Sequence, residues 1–331
     1  MRKVTIEDVS RATGLSRGTV SRALNDKPDI SAKTKQRVLE ACQKLDYAPS
    51  PAARTLATGR NDAVAVFVNA LESAFTASFL RGAIARAEQD RYVVHVVNLR
   101  RGISLDEHLR SFSPRRIDGV LNATALDAAS AAQLQRVLGE RVLTSCYPLD
   151  GVTCDVLAPD ETEAGRMVTR FLLQNGHHEI LYIHRATTSA AAARLAGFQE
   201  VCREEGIDAK AATATITDPD VLKTLASRLE GADAVIATDD FLAISVMLLC
   251  EQLGRRPGTD VAVVGYGNEP CAALIHPSLT TVDLDGEGIG RRTMETALQR
   301  IKHERMDKPE VLHVAPLLIE RESTGQLVTR S

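Results

Sequence analysis

The residues whose chemistry is easiest to name sit together near the N-terminus: Arg17, Thr19, Ser21 and Arg22, around Gly18. Guanidinium and hydroxyl groups are donors suited to phosphate oxygens and base edges. The stretch that must position them is VTIEDVSRATGLSRGTVSRALN, from Val4 to Asn25. Thr5, followed three residues later by Asp8, predicts an N-cap and a first-turn acid. Ile6, Val9 and Ala12 fall at helical spacing as the expected buried stripe. Gly14 suits the left-handed end of a helix, and Ser16 caps a second one. That second helix turns Val20, Ala23 and Leu24 inward and leaves Arg17, Gly18, Thr19, Ser21 and Arg22 outward. Two helices joined by a Gly turn, the second polar and basic on its outer face, describe a helix-turn-helix DNA reader.

Charge supports a nucleic-acid partner for this region alone. Residues 1–60 hold twelve Lys or Arg against six Asp or Glu, a net charge of +6, while the rest of the 331-residue chain nets −9. A basic head on an acidic body directs only the head towards a polyanion. No amphipathic helix joins a wide apolar face to a basic one, no apolar run has membrane-spanning length, and no secretory leader opens the sequence. The expectation is a cytoplasmic protein without a membrane partner. Six scattered cysteines without a Cys-x-x-Cys pair read as small buried hydrophobes in a reducing compartment.

The head continues with Ser31 as the cap of a third helix, Ala32 to about Leu45, burying Val38, Leu39, Ala41, Cys42 and Leu45. Tyr47-Ala48-Pro49-Ser50-Pro51 then breaks the pattern, and Ala52 to Ala57 is again helix-compatible. A segment this short is not stable alone in water, so a partner is expected to order it. From Ala63 the texture changes to short apolar runs at 63–68, 93–97, 119–121, 141–143, 180–183, 234–236 and 261–264. Helical segments lie between most of them, at 77–89, 162–174, 190–205, 219–229 and 241–253. Buried strands alternating with helices imply parallel sheets covered on both faces, and the pattern restarts near residue 160. Two α/β lobes follow, with a ligand site at the carboxyl ends of the strands.

No catalytic motif emerges. Gly265-x-Gly267 meets Pro270 where a dinucleotide site needs its third glycine, and Gly286-x-Gly288-x-Gly290 has the wrong spacing. There is no Walker loop, His-Glu-x-x-His or Gly-x-Ser-x-Gly, and His177-His178 reads as a structural or exposed pair rather than metal ligands. The expectation is a non-enzyme with no cofactor and no metal. The alternatives are a periplasmic-type solute-binding protein, favoured by the body but not the head, and an α/β enzyme.

Nine stretches in order resemble the LacI/GalR family of bacterial transcriptional regulators: the opening stretch, ISAKTKQRV, LDYAPSPAARTLA, IDGV, NGHHEILYI, ARLAGF, DVAVVGY, HPSLTTV and RESTG. The resemblance implies a homodimer on a pseudo-palindromic operator, with repression as the usual mode; no heptad tail follows residue 325, so a dimer is expected rather than a tetramer. It implies α plus α/β architecture: a three-helix helix-turn-helix domain at 1–48, a hinge helix at 49–60, and a two-lobed type I periplasmic-binding-protein-like effector domain at 61–331. Its first lobe would take 61–156 and 285–306, its second 157–284 and 307–331. By position, Arg17, Gly18 and Arg22 meet base edges, with Gly18 nearly silent; Thr5, Ser16, Thr19, Ser21, Asn25, Ser31 and Thr34 meet phosphates. Ala53 and Leu56 fall in the minor groove, Leu56 as the wedge that kinks the duplex.

The same resemblance places Phe75, Arg194, Asp239, Tyr266 and Gly267 in the effector pocket, and His184 and Arg185 at a strand end where relatives usually carry small residues. Gly267 stands where relatives often have a sugar-holding carboxylate, and Leu284 replaces a frequent polar residue. Fewer acidic anchors and more basic groups favour a sugar acid or sugar phosphate over a neutral sugar as the small-molecule effector. For the hinge, Leu56→Ala is expected to weaken operator binding with the melting temperature retained; equal operator affinity in a titration of both proteins would remove the wedge role.

Overall fold

The computed structural model describes residues 4–24, 29–47, 59–71, 73–99, 105–111, 116–184, 189–213 and 219–325. The hinge segment, with Ala53 and Leu56, lies outside the described residues, as do Asn25 and Arg185. The chain divides into two compact units, Met1–Ala63 with Arg115–Asp118, and the remainder.

In the first unit, α1 (Ile6–Thr13), α2 (Arg17–Leu24) and α3 (Ala32–Leu45) enclose one small core. Val9, Val20, Ala23, Val38 and Cys42 are buried in it, with Ile6, Leu15, Leu24, Ile30 and Leu45 packed around them. Each fully buried valine contributes about 1.5–3 kcal/mol, so a core this small depends on every one. Gly14 takes the left-handed conformation that ends α1, at φ 64°. Two expectations change. Ala12 is exposed, and the stripe runs instead from Val9 to Thr13, whose hydroxyl donates to the Val9 carbonyl at 2.8 Å and so enters the core satisfied. Leu39 is 46% exposed, because Val38 and Cys42 already fill the side of α3 that meets the other two helices.

The second unit holds two six-stranded sheets. The first contains β1 (Ala63–Val68), β2 (Val93–Asn98), β3 (Gly119–Asn122), β4 (Val142–Ser145), β5 (Asp155–Pro159) and β11 (Val311–Val314), in the order β11-β5-β4-β3-β1-β2. The second contains β6 (Ile180–His184), β7 (Lys210–Thr213), β8 (Ala234–Ala237), β9 (Ala262–Tyr266), β10 (Thr280–Asp283) and β12 (Leu317–Ile319), in the order β12-β10-β9-β8-β6-β7. β12 pairs antiparallel with β10, whereas the pairs β6–β7, β6–β8, β8–β9 and β9–β10 are parallel. The chain thus passes between sheets three times: after β5, after β10 and after β11. The assignment of 307–331 wholly to the second lobe is corrected here, since Val311–Val314 pairs in parallel with β5 in the first sheet. Residues 157–159 likewise complete β5. The run at 93–97 is not a buried strand but the edge β2, with Val93 and Val96 exposed.

Helices α4 (Ala74–Gln89) and α12 (Gly286–Ile301) share the core of the first sheet through Phe79, Ala83, Ile289, Met294 and Leu298, while α5 (Leu105–Ser111) follows β2, α6 (Ala128–Leu138) follows β3 and α9 (Pro219–Glu230) follows β7. In the second lobe, α7 (Glu161–Gln174) and α8 (Ser189–Glu205) approach so closely that their backbones touch through glycines. A Cβ on Gly165 would lie 2.1 Å from the Arg194 carbonyl oxygen, and one on Gly197 2.1 Å from that of Thr162. This approach brings residues 161 and 194 within reach of each other. In an exposed helix Gly→Ala would gain up to about 1 kcal/mol. Gly197→Ala is instead expected to destabilise by about 1–3 kcal/mol through overpacking, seen as a lower urea midpoint; an unchanged or higher midpoint would contradict the close approach.

Candidate ligand pocket and nucleic-acid interface

On the head, the predicted donors form an exposed surface around the start of α2. Ser16 caps α2 by accepting from the Thr19 amide at 3.1 Å, and its hydroxyl lies 2.9 Å from that of Thr19. Ser31 and Thr34 repeat this arrangement at the start of α3, at 3.2 and 2.9 Å. Thr5 donates from both its amide and hydroxyl to the Asp8 carboxylate. Arg17 and Arg22 are exposed and rest against Glu7 at 2.9 Å and Asp29 at 3.1 Å. Such surface pairs are worth under about 1 kcal/mol, so either guanidinium is readily exchanged to another anion. Gly18 faces open space, the nearest atom to an added Cβ being Ser16 Oγ at 3.8 Å. Ser21 lies on the same helix, half-buried.

In the second unit a cavity of about 540 Å³ opens at the carboxyl ends of the strands of both sheets. Asn69 follows β1, Ala123 β3, Tyr147 β4, Glu161 β5, Thr238 β8, and Tyr266 ends β9. This is where an α/β sheet leaves its crevice, because helix N-termini and loop ends converge there. Five predicted residues line it: Phe75, Arg194, Asp239, Tyr266 and Gly267. Leu284 lines it too. His184 is not among the lining residues; it sits half-buried at the end of β6, its ring 6.4 Å from that of Tyr182.

Arg194 is the anchor of the cavity. Its Nε donates to Glu161 Oε2 at 2.6 Å, its Nη2 to Glu161 Oε1 at 3.1 Å and its Nη1 to the Thr238 carbonyl at 2.8 Å. Its guanidinium carbon stands 4.6 Å from the centre of the Tyr266 ring. Burial works against the charge, but the Glu161 carboxylate outweighs it and holds the guanidinium above its ordinary range. The paired side chains are only 11% and 10% exposed. Burial likewise raises the Tyr147 and Tyr266 phenols, which stay neutral.

Asp239 accepts from the Leu242 amide at 2.8 Å and so caps α10 (Asp240–Gln252). Asp240 is fully buried, accepting from the Thr281 hydroxyl at 2.5 Å and the Glu269 amide at 2.7 Å. Burial, aided by the charges of Glu269 and Asp239, pushes its carboxyl up to about 6 against those two hydrogen bonds. The sequence reading missed Glu161, Glu269, Tyr147, Asn69 and Ser73 in the lining. Glu161 and Tyr147 follow strands β5 and β4, and recognising β5 at 155–159 would have placed Glu161 at a strand end. The expected surplus of basic groups is not what the described residues build. They line the cavity with four carboxylates, Glu161, Asp239, Asp240 and Glu269, and with Arg194, which Glu161 already neutralises.

Two family descriptions match the chain: "Bacterial regulatory proteins, lacI family" over residues 5–50 and "Periplasmic binding protein-like domain" over 169–324. The chain is 26% identical to the HTH-type transcriptional repressor PurR of Vibrio vulnificus, over 98% of this chain and 99% of the repressor. It is 26% identical to PurR of Mannheimia succiniciproducens with the same coverage. Among solved structures it superposes on the lac repressor dimer bound to operator and the anti-inducer ONPF, with TM-score 0.83, 23% identity, and coverage of 98% and 99%. A complex of the transcriptional regulator CelR with cellobiose matches with TM-score 0.70, 26% identity, and coverage of 97% and 100%.

The buried Asp240 makes a signed prediction. Its carboxyl titrates near 3.8 unfolded and about 6 folded, so between those values the folded chain holds a proton the unfolded chain has released. Stability from this group therefore falls as pH rises from about 4 to 6, by about 2–3 kcal/mol in all. Asp240→Asn is expected to flatten the urea-midpoint profile across that window; a profile parallel to that of the unaltered protein would contradict the shift.

Proposed function

We propose that this chain, a member of the LacI/GalR family of bacterial transcriptional regulators, is a repressor that binds a pseudo-palindromic operator as a homodimer under the control of a small molecule held in the cavity. The observation that carries the DNA reading is the face of α2, where Arg17, Gly18 and Arg22 are exposed while Val20 and Ala23 are buried. Arg17 and Arg22 would read guanine through paired bonds to O6 and N7, and Ser16, Thr19, Ser21, Thr5, Ser31 and Thr34 would fix register on phosphates. Asn25 and the hinge residues Ala53 and Leu56 keep their proposed DNA roles on the resemblance alone.

A second copy is the proposed cover for an apolar strip on the second lobe. On α10, Phe241 and Leu248, seven residues apart and so on one face, are 53% and 56% exposed. Leu274 on α11 (Pro270–Leu274) is 83% exposed. Dimerisation matches two recognition helices to two half-sites. Phe241 also lines the cavity, so ligand and dimer contact would share one side chain.

The proposed effector is a sugar or sugar derivative, as in the CelR–cellobiose complex. The carboxylates of the lining argue against the anionic sugar acid or phosphate that the sequence alone favoured. Arg194 would hold ligand hydroxyls in concert with Glu161, and the boundaries 1–48, 49–60 and 61–331 are kept as the proposed division of labour. No helix among the described residues is long and apolar enough to cross a membrane. The proposed place of action is the cytoplasm, where operator DNA lies, and the proposed role is binding without catalysis.

The test is fluorescence anisotropy on a duplex selected from random sequence. Affinity is expected to fall steeply with salt, and Arg22→Ala to lose about tenfold or more of its preference for the selected duplex with its melting temperature retained. Salt-insensitive binding, or equal preference in both proteins, would contradict the reading.

A further inference from the structure

Among the described residues the charges of the cavity do not cancel, and one of them meets no partner there. Arg194 is neutralised by Glu161, Asp239 caps α10, and Asp240 is enclosed by Thr281 and the Glu269 amide. The Glu269 carboxylate, half-buried in the lining, makes no hydrogen bond or ion pair among the described residues. Its backbone is fixed, because its amide is held by Asp240 at 2.7 Å and it stands at the N-cap of α11 without capping it through its side chain. The side chain is therefore placed at the cavity wall with its acceptor oxygens unspent.

Gly267 shows why the carboxylate comes from this position. Its φ is +125°, a conformation side-chain-bearing residues rarely adopt. An added Cβ would meet Ala74 Cβ at 3.1 Å, with Asp240 Oδ2 at 3.8 Å and Glu269 Cγ at 4.0 Å beyond it. The strand end cannot carry an acidic side chain at 267 without moving, and the Glu269 side chain borders the space such a group would enter.

We propose that Glu269 is the specificity-determining carboxylate of the cavity, and that the ligand presents a protonated amine to it, as an amino sugar does; this rests on the reading of the cavity as the effector site. A ligand that fills the cavity takes the half-buried Glu269 out of contact with solvent, close to the buried Asp240. A neutral hydroxyl supplies a hydrogen bond but leaves the charge uncompensated, and a carboxylate or phosphate adds repulsion. An ammonium supplies both the donors and the opposite charge. Asn69, Ser73 and Thr238 line the same cavity as partners for hydroxyl groups, and Phe75 offers an apolar wall.

The experiment is titration calorimetry on the full chain and on Glu269→Gln. The probes are D-glucosamine, D-galactosamine and D-mannosamine, their neutral parent sugars, the matching sugar acids and 6-phosphates, the diamine putrescine and the guanidine-bearing amine agmatine. At least one amine is expected to bind about tenfold or more tighter than its neutral or anionic counterpart, and Glu269→Gln to remove that preference. The melting temperature of the unliganded variant shows whether it folds, and Glu269→Asp supplies a second variant that keeps the charge and is expected to keep the preference. A neutral or anionic probe binding as tightly as its amine, an amine preference undiminished in Glu269→Gln, or no amine binding at all overturns the inference. Operator binding by the same unliganded preparation separates the two readings: its loss sinks the regulator, whereas intact DNA binding with no amine preference sinks only the role of Glu269.

Discussion

The forked pair between Arg194 and Glu161 is the interaction on which the second unit depends. Glu161 begins α7 immediately after β5, where the chain first leaves the first sheet for the second. Arg194 comes from α8, and its third bond reaches the carbonyl of Thr238, next to the residue that caps α10. One guanidinium thus ties a crossover segment, a helix and a strand end around the cavity. Buried pairs are weak evidence for net stability, but removal of one partner leaves a buried charge and costs about 3–5 kcal/mol. The pair exists because Gly165 and Gly197 let α7 and α8 touch backbone to backbone. A ligand that draws on either member acts directly on the segment between the sheets, which is how binding in the cavity would be felt beyond it.

The head shows the complementary economy. Its recognition face costs little to maintain, because Ser16 and Ser31 satisfy helix ends with hydroxyls of the same residues that would meet phosphates. Arg17 and Arg22 are parked on exposed carboxylates, Glu7 and Asp29, that solvent already screens. Exchange of these partners for DNA would leave the small core of Val9, Val20 and Val38 untouched. Affinity and folding are in this way carried by different atoms of the same three helices.

Much of this was legible in the sequence where local periodicity decides structure. The helices of the head, the strands β1, β3, β6, β8 and β9, and the helices between them follow from spacing and capping. Thr13 in place of Ala12 was not legible, because a threonine that donates to the carbonyl four residues back enters a core that composition would deny it. Strands β5, β7, β10, β11 and β12 were missed because they are three to five residues long; β5, β7 and β10 carry threonine, proline or charged residues in place of an apolar run, and β11 and β12 are too short for alternation to show. The pocket was half legible. Positions such as Arg194 and Tyr266 are marked by motifs, but the partner of Arg194 lies 33 residues earlier, and no local pattern assigns Glu161 to it. The sign of the cavity's charge changed for that reason: a count of basic residues along the chain cannot show which are already paired.

The proposed regulation requires that the cavity and the recognition helix be thermodynamically coupled. Coupling is reciprocal: a ligand that changes DNA affinity by some factor must find its own affinity changed by the same factor when DNA is bound. The most direct measurement is therefore titration of a small molecule that thermally stabilises the chain, with and without saturating operator duplex, alongside titration of the duplex with and without that molecule. The account predicts two equal factors of about five- to 150-fold. Ligand affinity that is the same with and without the operator would contradict it.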